Sequence, residues 1–93
     1  MRGLTQTAAD ELGPHGVRVN SVSPGFVLTP LTANAPNLVS SFAEATPLGR
    51  PCAPEDIAAA VVWLASSASS YVSGHDLLVD GGFMSNTSRD VRA

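Results

Sequence analysis

The chain has 93 residues, a formal net charge of −3 and 44% hydrophobic residues. That length allows one small domain, which by area scaling buries roughly 60% of its unfolded surface and is correspondingly marginal. The five basic residues are all arginines (Arg2, Arg18, Arg50, Arg89 and Arg92), scattered along the chain, so they form no basic patch for a nucleic-acid backbone or a membrane anchor.

Met1 to Leu12 reads as a helix, with Met1, Leu4, Ala8 and Leu12 on one face at helical spacing. Met1-Arg2 leads straight into this amphipathic segment, which lacks the pattern of a secretory leader. Gly13-Pro14 is a stop signal: glycine takes the left-handed position after the helix and proline prevents continuation. Asp10 and Glu11 lie where the helix dipole disfavours acids, so they are expected in solvent. His15, without a partner nearby in sequence, reads as a solvated loop residue.

Val17 to Ser23 is valine-rich and reads as a strand. Asn20, Ser21 and Ser23 are small and polar, so the strand runs out toward a polar cleft. Pro24-Gly25 breaks it, since proline cannot donate to a ladder and glycine admits close approach of another group. Thr29-Pro30 restarts order as an N-cap and first helical position. A strand, a turn and a helix start at the carboxyl end of a parallel sheet suit a phosphate or another anion. An ordinary strand-to-helix connection reads equally well from these residues alone.

Leu31 to Arg50 is the least regular part, with a turn-rich break at residues 33–37 and a short helix expected over Leu38 to Ala45. On that helix Leu38, Val39, Phe42 and Ala45 share a side. Such a segment between ordered elements serves either as a lid or as a plain surface loop. Pro54-Glu55-Asp56 opens the strongest helix, predicted over residues 54–66, with proline in its first turn and two acids at the positive dipole end. From Ile57 to Ala65 it is apolar nearly all round, which calls for protein on more than one side. That run is also the longest apolar one and is too short to span a bilayer. Cys52 is the only cysteine, so an internal disulfide is excluded and a zinc cluster is not expected. It reads as an inert loop residue, and the chain as cytoplasmic.

A second strand is predicted over residues 76–80, centred on Leu77-Leu78-Val79 and ended by Asp80-Gly81-Gly82. Tyr71, the only tyrosine, is expected to pack rather than to catalyse. His75 and Asp76 point to opposite faces of the strand. Ser, His and Asp all occur, but no G-x-S-x-G elbow does, so a hydrolase triad is unsupported. Residues 83–93 read as a polar tail. Asn86-Thr87-Ser88 fits the glycosylation pattern, which has no consequence without a secretory route. Strand, helical crossover and strand form a βαβ unit, expected parallel.

In this order, Gly3-Leu4-Thr5, Glu11-Leu12-Gly13, Val17-Arg18-Val19-Asn20-Ser21-Val22-Ser23-Pro24-Gly25, Thr29-Pro30, Pro47-Leu48-Gly49-Arg50-Pro51, Pro54-Glu55-Asp56-Ile57-Ala58, Trp63-Leu64-Ala65, Ser69-Ser70-Tyr71-Val72-Ser73-Gly74 and Val79-Asp80-Gly81-Gly82 resemble the later part of a short-chain dehydrogenase/reductase. The resemblance covers nearly the whole chain apart from the irregular segment and the tail. It implies an α/β fold: residues 1–93 as the C-terminal part of a Rossmann-like doubly wound parallel sheet. It further implies that Pro24, Gly25, Val27 and Thr29 hold the nicotinamide half of NAD or NADP. Val27 would use its backbone toward the carboxamide, and Thr29 would bond to the carboxamide or pyrophosphate. Residues 31–46 resemble the substrate lid, and the last helix and strand resemble a common subunit interface, for a homo- or hetero-oligomer. The implied substrate is a small secondary alcohol or ketone, in a branch similar to plant-like secondary-alcohol dehydrogenases.

The departures are equally informative. These residues contain no glycine-rich first turn, no catalytic serine, no Y-x-x-x-K pair, and no lysine at all. Tyr71 matches a later family segment, not the catalytic tyrosine. Met1 resembles an internal methionine of a longer protein. The expectation is a C-terminal fragment of an NAD(P)-dependent oxidoreductase with no catalytic residue of its own and no activity alone. Two alternatives are a non-catalytic product that docks on full-length relatives and a non-functional gene-model fragment.

Overall fold

The computed structural model describes residues 2–27 and 34–84. Helix α1 spans Arg2–Leu12 and runs on into a single 3-10 turn at Gly13–His15. Pro14 is tolerated there because the first turn of a helix needs no amide donor at that place. The left-handed residue is therefore Gly16 (φ +75°), and not Gly13 as the stop signal implied. Its amide closes the turn on the Gly13 carbonyl at 2.9 Å.

Strand β1 spans Ser21–Pro24 and strand β2 spans Asp76–Val79. They pair in parallel, with Ser21 opposite Asp76 and Pro24 opposite Val79. The regular ladder thus begins four residues later than the valine-rich run and includes the proline. Both differences have a local cause. Opposite Val17 to Asn20 the chain turns, with Gly74 at φ +75°, so no straight partner is available. Instead Gly74 N–H donates to the Val19 carbonyl (2.7 Å), and the Asn20 side chain donates to Val72 C=O (2.9 Å) and accepts from His75 N–H (3.0 Å). Pro24 removes no ladder bond, because the amides of Ser21 and Gly25 face β2 and alternation turns position 24 toward the other edge. Among the described residues no strand lies on that other edge.

Helix α2 spans Pro36–Ala45 and begins with its proline in the first turn, two residues ahead of the expected start at Leu38. Helix α3 spans Pro54–Ala65, with Ser66 as its extended C-cap. Asp56 closes half of a capping box by accepting from the Ala53 amide at 2.8 Å. Helix α3 lies against the sheet face that carries Val22, and Val61 and Leu64 line a cavity of about 560 Å³ with it. The opposite face carries Ser21, Ser23 and Asp76, near α1.

Only Leu64 among the described hydrophobic residues is buried. The expected apolar face of α1 is not covered: Leu4 is 70% exposed and Leu12 is also exposed, whereas Thr5 is the buried residue of that helix. Tyr71 stands fully in solvent rather than packing, since it sits on the turn after a second 3-10 helix at Ser67–Ser69. Leu38 also points outward. No helix among the described residues is long and apolar enough to cross a membrane.

Candidate functional site

The two parallel strands end side by side at Pro24 and Val79, and the chain turns there twice. Gly25 donates its amide to Val79 C=O at 2.9 Å, which extends the ladder by one bond. A Cβ at Gly25 would lie 3.0 Å from the Asp80 Cα, so a side chain there would force two backbones apart. Asp80 in turn orders the second turn, accepting from Gly82 N–H (3.0 Å) and Met84 N–H (3.2 Å).

Beyond Gly25 the chain runs beside the loop before α3. Cys52 N–H donates to Phe26 C=O at 2.8 Å, and Val27 forms an isolated parallel bridge with Cys52. Because successive backbone groups alternate in an extended chain, that bridge directs the amide and carbonyl of Val27 away from Cys52. A cavity of about 230 Å³ lies on the Cys52 side, walled by Gly25, Phe26, Cys52, Asp56 and Asp80. Of the residues implied as a cofactor site, Pro24, Gly25 and Val27 are thus brought together at the carboxyl ends of both strands. Thr29 lies outside the described residues, as does the part of the lid segment over residues 31–33.

The electrostatics around the site are local. Arg50 pairs with Asp56 at 2.8 Å. That bond, with the Ala53 amide after it, holds the Asp56 carboxyl below the usual carboxylate range and raises the Arg50 guanidinium. Burial pushes the Cys52 thiol up, with the Asp56 charge adding to it. On the α1 side of the sheet, Asp76 accepts from Ser21 Oγ (2.7 Å) and Ser23 Oγ (2.9 Å), and those bonds, Ser21 first, lower its pKa. Among the described residues no cluster of three histidine, cysteine or acidic side chains could hold a metal.

Arg18 is a structural residue that the tally of scattered arginines passed over. It donates to Ser69 Oγ, Val72 C=O and Ser66 C=O, each at 3.2 Å, and so ties the approach to β1 to the end of α3. Ser69, only 1% exposed, donates from its hydroxyl toward the carbonyls of Trp63 and Leu64 at 2.9 Å. The signal in sequence was a charge inside a valine run, which needs partners once the run approaches a sheet. Phe26 and Phe42 were missed as a pair because nothing local links residues 16 apart across a turn-rich segment; their rings stack at 4.5 Å and 8°.

Comparison with known proteins agrees with this geometry. A family described as Enoyl-(Acyl carrier protein) reductase matches residues 1–84. A solved short-chain type dehydrogenase/reductase from Mycobacterium marinum superposes with a TM-score of 0.78 at 43% identity, over 88% of this chain and 32% of that one. The chain belongs to the short-chain dehydrogenase/reductase family. Human (3R)-3-hydroxyacyl-CoA dehydrogenase is 51% identical over 81 residues, which are 86% of this chain and 31% of the relative. The borneol dehydrogenase of Lavandula x intermedia, named as mitochondrial, is 50% identical over 86% of this chain and 30% of its own length. A 3-alpha-(or 20-beta)-hydroxysteroid dehydrogenase of Mycobacterium bovis is 48% identical over 88% and 30%. The chain therefore spans about a third of the length of these relatives. Within the Rossmann-type fold, its parallel pair and flanking helices correspond to one portion of the sheet.

Proposed function

We propose that these residues are the C-terminal part of an NAD(P)-dependent oxidoreductase that interconverts a secondary alcohol and its ketone. The observation that carries the reading is the turn after β1. Pro24 and Gly25 bring the backbone to the carboxyl ends of both strands, and the Val27 amide and carbonyl face away from the Cys52 loop. A carboxamide presents one donor and one acceptor edge, which such a backbone pair complements. The residues present therefore fit the nicotinamide end, with Thr29 as a further hydroxyl in sequence reach. When bound, NAD or NADP supplies the hydride acceptor or donor. The chain's own part is to orient that ring and, through the segment carrying α2, to shield it from water. The named activities of the relatives, on a hydroxyacyl-CoA, borneol and a hydroxysteroid, support a hydroxyl-bearing substrate.

The proton-transfer machinery has to come from elsewhere. A catalytic tyrosine works near neutral pH when a neighbouring lysine favours its anion, and the 93 residues contain no lysine. Arginine does not replace lysine's compact contacts. Half a dinucleotide site should bind NADH weakly, with a Kd of about a millimolar or above, and the purified chain should turn over no secondary alcohol or ketone. Joining it to the upstream two-thirds of a close relative should give turnover, monitored by NADH absorbance. A folded but inactive chimera, or micromolar NADH binding by the 93 residues that Thr29→Ala abolishes, would overturn the reading. The exposed apolar surface of α3 favours a second role, docking on a longer family member. Reading the coding DNA upstream of Met1 separates these from a gene-model fragment, since an open frame encoding Y-x-x-x-K supports the oxidoreductase. A cytoplasmic location belongs to the same proposal and is checked by fractionation.

A further inference from the structure

Helix α2 has no buried residue, so little of its own surface holds it to the rest of the molecule. Past its C-terminal end, where Thr46 Oγ1 donates back to Phe42 C=O at 2.6 Å, the chain is tied down by Leu48 N–H, which donates to Gly81 C=O at 3.1 Å. The one side chain of the helix with ring contacts to both strand-end turns is Phe42. It stacks face to face on Phe26 (4.5 Å, 8°) and leans on Phe83 (6.3 Å, 32°). Phe26 follows Gly25 in the turn after β1, and Phe83 follows the Asp80–Gly82 turn after β2. Phe26 is also the residue whose carbonyl accepts the Cys52 amide, the bond that sets which way Val27 faces.

We propose that Phe42 is a positioning residue for the Gly25–Val27 turn: its ring clamps Phe26 against the end of the sheet and thereby fixes the direction of the Val27 backbone. The inference deepens the proposed function and rests on it for the identity of what Val27 faces. The clamp itself needs only the ring geometry. A stacked aromatic pair stabilises by more than its area, through offset electrostatics and dispersion that an aliphatic residue of similar size does not reproduce. Without it, the turn would keep the Gly25 ladder bond, but the Phe26–Cys52 bond would open with α2.

The test is amide hydrogen exchange on the 93-residue chain without cofactor, comparing the wild type with Phe42→Ala, Phe42→Tyr and Leu38→Ala. Leu38 serves as control because it lies on the same helix, 45% exposed. Phe42→Ala should speed exchange of the Cys52 amide at least about tenfold, the equivalent of the upper range for a stacked pair, while β2 amides keep their rates. Phe42→Tyr should restore the wild-type rate, and Leu38→Ala should leave it unchanged. Equal acceleration in β2, the same effect from Leu38→Ala, or an unprotected Cys52 amide in the wild type would each overturn the proposal. An NADH titration of the same samples separates the two readings. Weaker NADH binding by Phe42→Ala than by the wild type upholds both. The expected exchange pattern with millimolar NADH binding that Phe42→Ala leaves unchanged keeps the clamp standing and removes the cofactor from what Val27 faces.

Discussion

The seam between β1 and β2 and the outer surface of α3 solve opposite problems with opposite success. Along the seam polar side chains find partners: Arg18 on three acceptors, Asn20 on two backbone groups, Ser21 and Ser23 on Asp76. On α3, Val62 and Trp63 stand exposed, Val62 at 68%. Hydrogen bonds are pairwise and directional, so two short segments 48 to 55 residues apart can complete them. Apolar burial needs area, and the two strands and three α-helices among the described residues do not supply it. What this part of the family fold carries within itself is its polar wiring, and what it lacks is cover.

The largest expected effect lies on the uncovered side. The chain should self-associate at micromolar concentration, and Val62→Glu should shift it toward monomer in sedimentation velocity. A monodisperse wild-type monomer would break the comparison, because α3 would then need no cover. Next comes the seam. Arg18→Ala should cost about 2 kcal/mol in urea unfolding at fixed protein concentration, because it leaves the Ser66 and Val72 carbonyls without their charged donor. A loss below about 0.5 kcal/mol would mean that water replaces the guanidinium, and that the seam is looser than its distances imply.

A smaller effect sharpens the same point by pH. Asp76 has a folded-state pKa below its unfolded value, so its bonds to Ser21 and Ser23 contribute stability above about pH 4, which is lost as pH falls through the folded pKa. The unfolding midpoint should therefore be flat from about pH 5 to 7 and fall below about pH 4. Ser23→Ala should shrink that fall, and an unchanged profile in Ser21→Ala/Ser23→Ala would assign the acid sensitivity to other carboxylates. The smallest effect is expected at the start of α3. Arg50→Ala should leave the unfolding midpoint within error at moderate salt, since its bond to Asp56 is solvent-exposed and screened.

Element types were legible because each is encoded locally. Pro54-Glu55-Asp56 marks a helix start by proline's fixed φ and the dipole, and α3 begins there. Asp80-Gly81-Gly82 ends β2 by turn chemistry. The Pro24-Gly25 turn at the strand end was equally readable. The ladder's true start at Ser21 was not, since it depends on where the chain opposite turns at Gly74. The apolar stripe of α1 correctly announced a helix, but a stripe says only that a face wants cover, and Leu4 and Leu12 do not find it here. Tyr71 was expected to pack rather than to catalyse, and a turn position leaves it outside.

By itself, then, the sequence determined the helices, the two short strands, their parallel sense through a helical crossover, and the turn at Pro24-Gly25. All of these follow from backbone preferences and residue order over a few neighbours. It also determined that no lysine-assisted tyrosine can form within these residues, which is a matter of inventory. Tertiary structure alone decided that Asp76 meets Ser21 and Ser23 in register, that Arg18 reaches the end of α3, and that Phe42 lies on Phe26. Those contacts join residues between 16 and 55 positions apart. They depend on loop closure and the relative placement of whole elements, which nearest-neighbour preferences do not specify.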